Sequence, residues 1–274
     1  MSVQISVIIV TYNSGLHIGK LLDSITKTSS KLSLEIIVVD NASKDNTVTV
    51  VSSHPLRPLL IRSRQNLGFA RAVNLGIRQS HGEFVILINP DTLVVGNALG
   101  QLYQYAQMQK NLGAIAPRLF DMNGNPQASV FHFPSISGAI AHYFFGIKRA
   151  YGKYLPAGRH GLPAGRLQTV DVAVMAAFMI PRRVLSQVGL LDEKYFLYYE
   201  DIDFCRRLKK AGLSVYYCPQ AKVRHIHGGS SSHAPVTQLL VNSSILYHGT
   251  LYYRGLTATL WLGQKWRQIL SRFH

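Results

Sequence analysis

Short apolar runs alternate with helical spacing over the first hundred residues of the chain. Four apolar runs predict strands: Ser6–Val10, Glu35–Val39, Leu59–Arg62 and Glu83–Ile88. The first is β-branched at nearly every position, and the first two are predicted to be buried. Between them, apolar residues recur at helical spacing and predict three helices: Gly15–Thr28, Thr47–Ser53 and Phe69–Ser80. Strands that alternate with helices are typical of βαβ units. The sequence therefore predicts an α/β fold with a doubly wound, mostly parallel sheet.

The second half of the chain has a less regular pattern. The segment Asp121–Gln168 is rich in Gly, Pro and aromatic residues, which indicates loops and short elements. The remaining predicted elements are a strand over Val170–Ile180, a helix within Tyr195–Gly212, a short strand over Ser214–Tyr217 and a His-, Gly- and Ser-rich loop over Val223–Ser232. From Pro235 the pattern is helical to the last residue. We therefore predict one α/β domain over residues 1–234 and a helical C-terminal segment over residues 235–274.

Composition narrows the class of protein. Hydrophobic residues make up 47% of the 274 residues and charged residues only 15%, so the chain can fill a core. No apolar run approaches the roughly 18–20 residues that span a bilayer, and the first residues lack the basic start of a signal peptide. Cys205 and Cys218 are too few for a disulfide framework, so we expect two reduced, buried thiols. These features predict a cytoplasmic protein that is soluble or peripheral to a membrane.

The net charge implies an anionic partner. The chain has 29 Lys and Arg against 13 Asp and Glu, a formal charge of +16. Such a charge attracts nucleic acid, anionic lipid or a phosphorylated substrate. Nucleic-acid binding is the less favoured of these, because the basic residues are dispersed and no nucleic-acid-binding module is recognisable.

Polar residues follow three of the predicted strands. They are Thr11-Tyr12-Asn13, Asp40-Asn41 and Asn89-Pro90-Asp91. Ligands of open α/β sheets bind beyond the carboxyl ends of the strands, so these residues predict a binding site at that edge. The usual signatures of ATP hydrolysis and hydride transfer are missing, because neither a complete phosphate loop nor a Gly-x-Gly-x-x-Gly follows the first strand.

Several side chains suit metal or acid–base chemistry, and each has a plainer alternative. Asp91 could bind Mg²⁺ together with substrate phosphates, or could belong to an ordinary chain reversal. Glu200 and Asp201 could form a general base with an orienting neighbour, or could complement the dipole of a helix N-terminus. His225 and His227 could be metal ligands or surface residues. Gly68, after Asn66, could permit a close backbone approach or serve a turn.

The order and spacing of these motifs resemble one family. The motifs are Ser-Val-Ile-Ile-Val-Thr-Tyr-Asn-Ser from Ser6, Val-Val-Asp-Asn-Ala-Ser from Val38, Asn-Leu-Gly-Phe-Ala from Asn66, Asn-Pro-Asp-Thr from Asn89 and Tyr-Glu-Asp-Ile-Asp-Phe-Cys-Arg-Arg-Leu-Lys-Lys-Ala-Gly from Tyr199. From about Ser6 to Ser232 the chain resembles family 2 glycosyltransferases of the GT-A fold. Within that family it is most similar to bacterial rhamnosyltransferases of O-antigen and cell-wall polysaccharide assembly.

The resemblance implies a role for each candidate residue. Donor-binding roles fall on Thr11, Tyr12, Asn13, Asp40, Asn66, Gly68, Asn89 and Asp91. Asp91 matches the last carboxylate of the family's Asp-x-Asp metal motif, whose first position is here Asn89. His225 matches a His that approaches the metal or the diphosphate in similar enzymes. Asp201 matches the catalytic base and Glu200 its acidic neighbour.

The resemblance also implies a reaction and a location. It implies an inverting transfer of a sugar, by resemblance L-rhamnose from dTDP-L-rhamnose, with Mg²⁺ or Mn²⁺ as cofactor. The implied acceptor is a glycan on a polyprenyl diphosphate, at the inner face of the cell membrane. This reaction would also account for the charge, since donor, acceptor and bilayer are all anionic. A sugar-nucleotide-binding scaffold without catalysis is the other alternative, and the intact Glu200, Asp201 and Asp91 disfavour it.

The C-terminal segment has one apolar helical face. Leu262, Trp266, Ile269, Leu270 and Phe273 share that face, while Lys265, Arg267 and Arg272 lie off it. Such a pattern predicts a helix that lies in a membrane interface. Packing of this helix on its own domain is the alternative.

Overall fold

A computed structural model of the chain describes residues 3–28, 32–155, 166–226 and 236–271. Its strands are β1 (Ile5–Thr11), β2 (Leu34–Asp40), β3 (Leu59–Arg62), β4 (Phe84–Ile88), β5 (Thr92–Val95), β6 (Leu112–Phe120), β7 (Val130–Phe131), β8 (Gln168–Val170), β9 (Val172–Ala173), β10 (Ala177–Pro181) and β11 (Ser214–His225). Its helices are α1 (Gly15–Thr28), α2 (Thr47–Ser53), α3 (Phe69–Arg78), α4 (Ala98–Gln107), α5 (Ile136–Tyr143), α6 (Arg182–Val188), α7 (Glu200–Lys210), α8 (Val236–His248) and α9 (Thr250–Leu270).

The main sheet has the order β3-β2-β1-β4-β10-β6-β11-β5, and β8 also pairs with β11. β1 to β4 are parallel, β10 is antiparallel to both β4 and β6, and β6 is parallel to β11. Most strands thus run in one direction, while β5, β8 and β10 run in the other. The predicted mostly parallel α/β sheet is confirmed.

Helices cover both faces of the sheet. On one face, α1, α2 and α4 pack on the side chains of Val7, Ile9 and Val38. On the other face, α3, α6 and α7 pack on Ile8 and Val39. Successive residues of a strand point to opposite faces, so strands buried on both sides need the continuous apolar runs seen in the sequence. Both cysteines are free and buried in these layers, as expected.

Two element predictions in the second half are wrong. Val170–Ile180 is not one strand but parts of β8, β9 and β10, because Asp171 and the 174–176 turn interrupt the run. β8 pairs with β11, β9 with β7, and β10 with both β4 and β6. Ser214–Tyr217 is only the start of the long strand β11, which continues past an irregularity between Cys218 and Lys222. Val223–His225 therefore belongs to a strand and not to a loop, while His227 and Ser232 lie outside the described residues.

The short elements predicted within residues 121–168 include β7 and α5, whereas β5, α4, β6 and α6 were not predicted. The bounds predicted for the elements before Ile88 differ from the observed ones by at most two residues. No helix in the described part of the chain is long and apolar enough to cross a membrane.

The C-terminal helix α9 packs on α5, and α8 contacts the turn before α7. Gly263 of α9 lies so close to Tyr143 that a Cβ there would meet its side chain at 2.5 Å. The ring of Trp266 stacks on Phe144 with centroids 6.3 Å apart, and Arg267 donates to the His142 carbonyl at 2.7 Å. Helical structure after Pro235 is confirmed, and the packing predicted as an alternative is present.

Candidate active site

The carboxyl ends of β1 and β2 lie side by side, with Thr11 opposite Asp40. Both residues are buried, and the Thr11 hydroxyl donates to Asp40 Oδ1 at 3.1 Å. The backbone amide of Ser43 donates to Asp40 Oδ2 at 3.1 Å. Thr11 is fully buried, and its hydrogen bond orients the Asp40 carboxylate. Each carboxylate oxygen of Asp40 retains acceptor capacity for a further donor.

The loops that follow β1 and β2 are held together around Asn13. Asn13 adopts a left-handed conformation with φ 50°, which Asn tolerates better than most residues. Its amide donates to the Ser43 hydroxyl at 2.9 Å, and its side-chain oxygen accepts from the Lys44 amide at 2.8 Å. Tyr12 is half-buried beside it. Asn13 thus shapes the rim of the pocket through protein contacts.

Asn41, which follows Asp40, organises the next loop. Its side chain donates to the Asn66 side-chain oxygen at 2.8 Å and accepts from the Leu67 amide at 2.8 Å. Asn66 in turn accepts from the Gly68 amide at 3.0 Å. Sequence reasoning named Asn66 and Gly68 for the site but gave no role to the amide of Asn41 that joins them. The sequence signal for this role is an amide side chain directly after a candidate carboxylate, here Asn41 after Asp40.

Gly68 provides a close approach to a distant loop. Its φ is 81°, and a Cβ there would lie 2.5 Å from the Phe196 carbonyl oxygen. The Phe69 amide donates to the same oxygen at 2.7 Å. One helical turn further on, the buried Asn74 exchanges hydrogen bonds with the backbone of Leu191. α3 therefore fixes the loop that leads into Glu200.

The carboxyl end of β4 continues into a turn that places Asp91 next to His225. Asn89 is half-buried, and its carbonyl accepts from the Thr92 hydroxyl at 2.7 Å, which closes the turn. The Ile226 amide donates to the Asp91 carbonyl at 2.9 Å, because β5 and β11 are antiparallel neighbours there. The resulting distance between His225 Nε2 and Asp91 Oδ1 is 3.6 Å. Asp91 is 2% exposed.

Gln127 fixes the tautomer of the His225 imidazole, whose Nε2 faces Asp91. The Gln127 side-chain NH₂ donates to the His225 carbonyl at 2.8 Å, which turns its oxygen toward His225 Nδ1 at 3.2 Å. An amide oxygen only accepts, so Nδ1 carries a hydrogen, and in the neutral imidazole Nε2 is then the nitrogen with the lone pair. Gln127 had not been singled out in the sequence, because nothing local connects it to a residue on β11.

The donor set of Asp91 and His225 fits a divalent cation. A carboxylate oxygen and an imidazole nitrogen that face the same space are both electron-pair donors, and Gln127 supports the His as outer partners of metal ligands do. The described residues contain no group of three or more His, Cys, Asp or Glu able to hold a metal. The pair therefore suits an ion whose other ligands are substrate phosphates and water, as is common for Mg²⁺.

Glu200 and Asp201 begin α7, after an unusual turn. Tyr198 and Tyr199 are both left-handed, with φ 70° and 69°. Two consecutive bulky residues in this region are costly, and such strain concentrates at functional sites. The Asp201 carboxylate accepts from the Ile202 amide at 2.8 Å. The turn places Glu200, which is buried, next to Asp201, which is half-buried.

Burial raises the pKa of both carboxyls well above their ordinary values. For Glu200, loss of hydration is the main cause and the neighbouring Asp201 charge adds to it. For Asp201, burial also dominates, while the Ile202 amide and the Lys153 charge oppose the rise in pKa. Glu200 is the more buried of the two acids, and adjacent carboxylates resist carrying two negative charges. The pair is therefore suited to holding one proton while the other carboxylate acts as a general base.

The predicted site residues are connected through the fold. Asp40 leads to Asn41, which contacts Asn66 and Gly68; Gly68 contacts Phe196, whose loop ends at Glu200. Asp91 leaves β4, the parallel neighbour of β1, at the same edge of the sheet as Thr11. The structure thus joins the nucleotide-side candidates to the acid pair through protein contacts.

A doubly wound sheet with a carboxylate–imidazole pair and an acid pair at its carboxyl edge defines an α/β enzyme of the GT-A type. Comparisons with known proteins identify the family: a profile of Glycosyl transferase family 2 matches residues 6–120. The chain belongs to the family 2 glycosyltransferases and is a glycosyltransferase.

Three relatives share most of the chain. It is 28% identical to an N-acetylglucosaminyl-diphospho-decaprenol L-rhamnosyltransferase of Mycobacterium tuberculosis, over 90% of this chain and 84% of that protein. It is 30% identical to the low-salt glycan biosynthesis hexosyltransferase Agl10 of Haloferax volcanii, over 81% of this chain and 67% of that protein. It is 25% identical to the dTDP-rhamnosyl transferase RfbF of Shigella flexneri, over 84% and 72%.

A solved structure supports the fold. The crystal structure of GalNAc-T7 with UDP, GalNAc and Mn²⁺ superposes with a TM-score of 0.68 at 18% identity. The match covers 85% of this chain and 45% of that one. At this identity the likeness concerns the fold.

Proposed function

We propose that the protein transfers a sugar from a nucleotide-diphosphate donor to an acceptor hydroxyl, with inversion at the anomeric carbon. The observation that carries this proposal is the joint presence of the Asp91–His225 pair and the Glu200–Asp201 pair on one GT-A fold. The first pair suits a cation and a diphosphate, and the second suits the removal of a proton. Transfer of a sugar from a nucleotide diphosphate needs both.

We propose Asp91 and His225 as the residues that hold a divalent cation, Mg²⁺ or Mn²⁺. When bound, such an ion supplies positive charge opposite the leaving diphosphate. Asn89, at the first position of the same turn, is proposed to lie beside the donor, where its amide would be a neutral ligand or a hydrogen-bond donor. The Gln127–His225 hydrogen bond keeps the imidazole in the required tautomer.

On the nucleotide side, Asp40 is proposed to accept hydrogen bonds from the base, with Thr11 orienting it. Tyr12, Asn13, Asn66 and Gly68 complete the proposed donor pocket by shaping the loops around it. Since Thr11 and Gly68 are both buried, their contribution is to position neighbouring groups.

Asp201 is proposed to act as the general base. Its carboxylate would take the proton of the acceptor hydroxyl as that oxygen bonds to the anomeric carbon and the bond from that carbon to the phosphate oxygen breaks. The products are a glycoside of inverted configuration, a nucleoside diphosphate and a protonated Asp201. A protonated Glu200 would place no second negative charge next to this base, and this is the role proposed for Glu200.

The donor proposed is dTDP-L-rhamnose and the acceptor a polyprenyl-diphosphate-linked glycan of a surface polysaccharide, as in O-antigen assembly. The names of the mycobacterial and Shigella relatives support rhamnose as the sugar. The mycobacterial relative's name also supports a polyprenyl-diphosphate acceptor. We accordingly propose that the protein works at the inner face of the cell membrane.

The test is a transfer assay with the purified full chain. dTDP-L-[¹⁴C]rhamnose and Mg²⁺ are incubated with bacterial membrane lipid extract, and label is counted in the organic phase, with other labelled nucleotide sugars in parallel arms. Transfer from dTDP-rhamnose supports the proposal, and transfer from another nucleotide sugar alone overturns the donor. Absence of transfer from all of them, combined with tight salt-resistant binding of DNA, would favour a nucleic-acid-binding protein. Donor binding without turnover would favour a scaffold.

A further inference from the structure

An apolar surface lies where the end of α5 meets the C-terminal half of α9. This surface, the docking face, consists of Phe144, Phe145, Leu262, Trp266, Ile269 and Leu270. Phe145 is 72% exposed and Leu262 53%, while the remaining four are between 39% and 49% exposed. Leu262, Trp266, Ile269 and Leu270 share one side of α9 by their spacing, and Phe144 stacks on Trp266. Large exposed apolar clusters of this kind mark interaction sites.

The docking face is held in place by its own helices. Gly263, which borders the docking face on α9, is buried against Tyr143. Arg267 both donates to the His142 carbonyl and lies over the Tyr143 ring, 4.9 Å from its centroid. At the other end, the Ile136 amide donates to the Tyr252 hydroxyl at 3.1 Å. The helices therefore present the apolar side chains outward as a preformed surface.

Charge around the docking face has a single sign. The chain contains no Asp or Glu after Asp203, and none between Asp121 and Asp171. Both α5 and α9 lie in these stretches. Lys148 and Arg149 follow the apolar Ile147 just after α5, and Lys265 lies on α9; all three are exposed. An apolar face flanked by cations only is complementary to a surface that is apolar within and negative at its border.

We propose that the docking face binds the surface of an anionic lipid bilayer. This inference deepens the proposed function, because a polyprenyl-linked acceptor is presented at such a surface. The binding is interfacial, with α9 lying in the plane of the headgroups and the Trp ring at the boundary. A second copy of the chain is the less suitable occupant, because two such faces would bring cations together with no carboxylate to pair with them.

The test is sedimentation of the full chain with liposomes. Wild type should sediment with vesicles of phosphatidylglycerol and phosphatidylcholine but not with pure phosphatidylcholine, and 0.5 M NaCl should weaken binding. Phe145→Ser with Leu262→Ser should lower the bound fraction about tenfold or more, because both lose buried apolar area. Met108→Ser is the matched control, since Met108 is 69% exposed at the end of α4, away from α5 and α9.

Three results would overturn the proposal. They are absent sedimentation of wild type, equal sedimentation of the double variant, and a dimer in sedimentation velocity that the double variant dissociates. Stabilisation by dTDP-L-rhamnose and Mg²⁺ is measured on the same samples. A double variant that loses lipid binding but keeps donor stabilisation has a defect of the docking face alone. Absence of donor stabilisation in wild type would instead contradict the proposed function.

A second observation concerns the turn before the acid pair. The hydroxyl of Tyr199, one of the two left-handed tyrosines, donates to the Ser244 hydroxyl at 3.0 Å. The neighbouring Ser243 hydroxyl donates to the Leu197 carbonyl at 2.8 Å. Both serines are 5% exposed and lie on α8. We infer that Ser243 and Ser244 are positioning residues that hold the strained turn and thereby orient Asp201.

This inference rests on the proposed base, and its test separates the two. Ser244→Ala and, from the other side, Tyr199→Phe should each lower kcat about five- to tenfold with donor KM unchanged, and the double variant should lose no more than either single one. Thr257→Ala is the control, because the Thr257 hydroxyl bonds only to the Tyr253 carbonyl of its own helix.

Hydrogen exchange gives a readout that does not depend on turnover. The amides of residues 198–203 should exchange faster in Ser244→Ala than in wild type, while those of β1 should not change. Unchanged exchange in that segment, or a fall in kcat no larger than that of Thr257→Ala, would overturn the positioning role. Loss of transfer in wild type itself would concern the proposed function.

Discussion

Gly68 lies directly against Phe196, with the carbonyl oxygen of Phe196 2.5 Å from the position of a Cβ at Gly68. This contact joins the nucleotide side of the candidate site to the loop that carries the acid pair. Glycine is required at this position for two reasons: φ is 81°, and backbone atoms of Phe196 fill the space where a Cβ would lie. Five predictions follow from this contact and from the acids of the site.

Gly68→Ala should destabilise the protein by about 2 kcal/mol or more, since it combines left-handed strain with a backbone collision. Gly124→Ala is the matched control: φ at Gly124 is 86°, but nothing lies within 4 Å of its Cβ position. That variant should lose only about 1 kcal/mol. Urea unfolding measures both. Equal losses would show that the contact with Phe196 yields without cost.

Asp91→Asn should suppress stabilisation by the donor in the presence of Mg²⁺, because it removes a negative ligand from the proposed cation site. Thermal unfolding with and without dTDP-L-rhamnose and Mg²⁺ measures the effect. Asp121→Asn, in a turn on another loop, should leave the stabilisation intact. Full turnover of wild type in excess EDTA would show that basic side chains replace the cation.

Asp201→Asn should lower turnover by about 10²–10⁴-fold, the usual contribution of a general base, with donor affinity nearly unchanged. The substitution preserves shape and removes basicity. Single-turnover transfer kinetics measure the loss. If Glu200→Gln were instead inactive and Asp201→Asn retained wild-type turnover, the roles within the pair would be reversed.

The turnover rate should fall on the acidic side with a midpoint above 3.8, the ordinary pKa of an aspartate. Burial raises the pKa of Asp201, so its carboxylate takes up a proton, and stops acting as a base, at a higher pH than an exposed aspartate would. A pH profile of kcat on wild type tests this. An acidic midpoint at the ordinary value would place the base elsewhere.

Stability should decrease as pH rises above 4.5, the ordinary value for glutamate, toward the raised pKa of Glu200. In this window the unfolded chain ionises Glu200 while the folded chain keeps its proton, so the folded state binds more protons and loses stability with rising pH. Glu200→Gln should flatten this part of the profile. The free energy of unfolding in urea, measured at several pH values, gives both curves, and equal slopes would contradict the prediction.

The elements up to Ile88 were predictable because most of their strands are buried on both faces. Runs such as Ile5–Thr11 and Leu34–Asp40 are apolar at nearly every position, and polar groups mark where each ends. In the second half, partners are distant. β8, β9 and β10 follow one another within 14 residues, yet β8 pairs with β11, β9 with β7, and β10 with β4 and β6. Local pattern carries no information about which strand a segment will meet.

The candidate site was predictable in its residues but not in its supports. Asp91 and His225 were both named from the sequence, yet only the pairing of β5 with β11 brings them together. Asn41 and Gln127 contact candidate residues through hydrogen bonds between different parts of the chain, and Ser244 contacts Tyr199, next to the acid pair. Ordinary polar residues of this kind have no distinctive local signature. They become recognisable only through what they contact.

The position of β10 has a consequence for synthesis of the chain. β10 separates β4 from β6, and β6 has no strand partner other than β10 and β11 within the described residues. In a nascent chain that has emerged as far as residue 120, β4 therefore has one unpaired edge, and β5 and β6 have no strand partner. Open edges invite pairing with other chains, and long-range strand pairing folds slowly. β5 and β6 gain their shared partner β11 only after the chain has emerged past Ser214, so more than 200 residues must be synthesised before the strands of the main sheet can all pair.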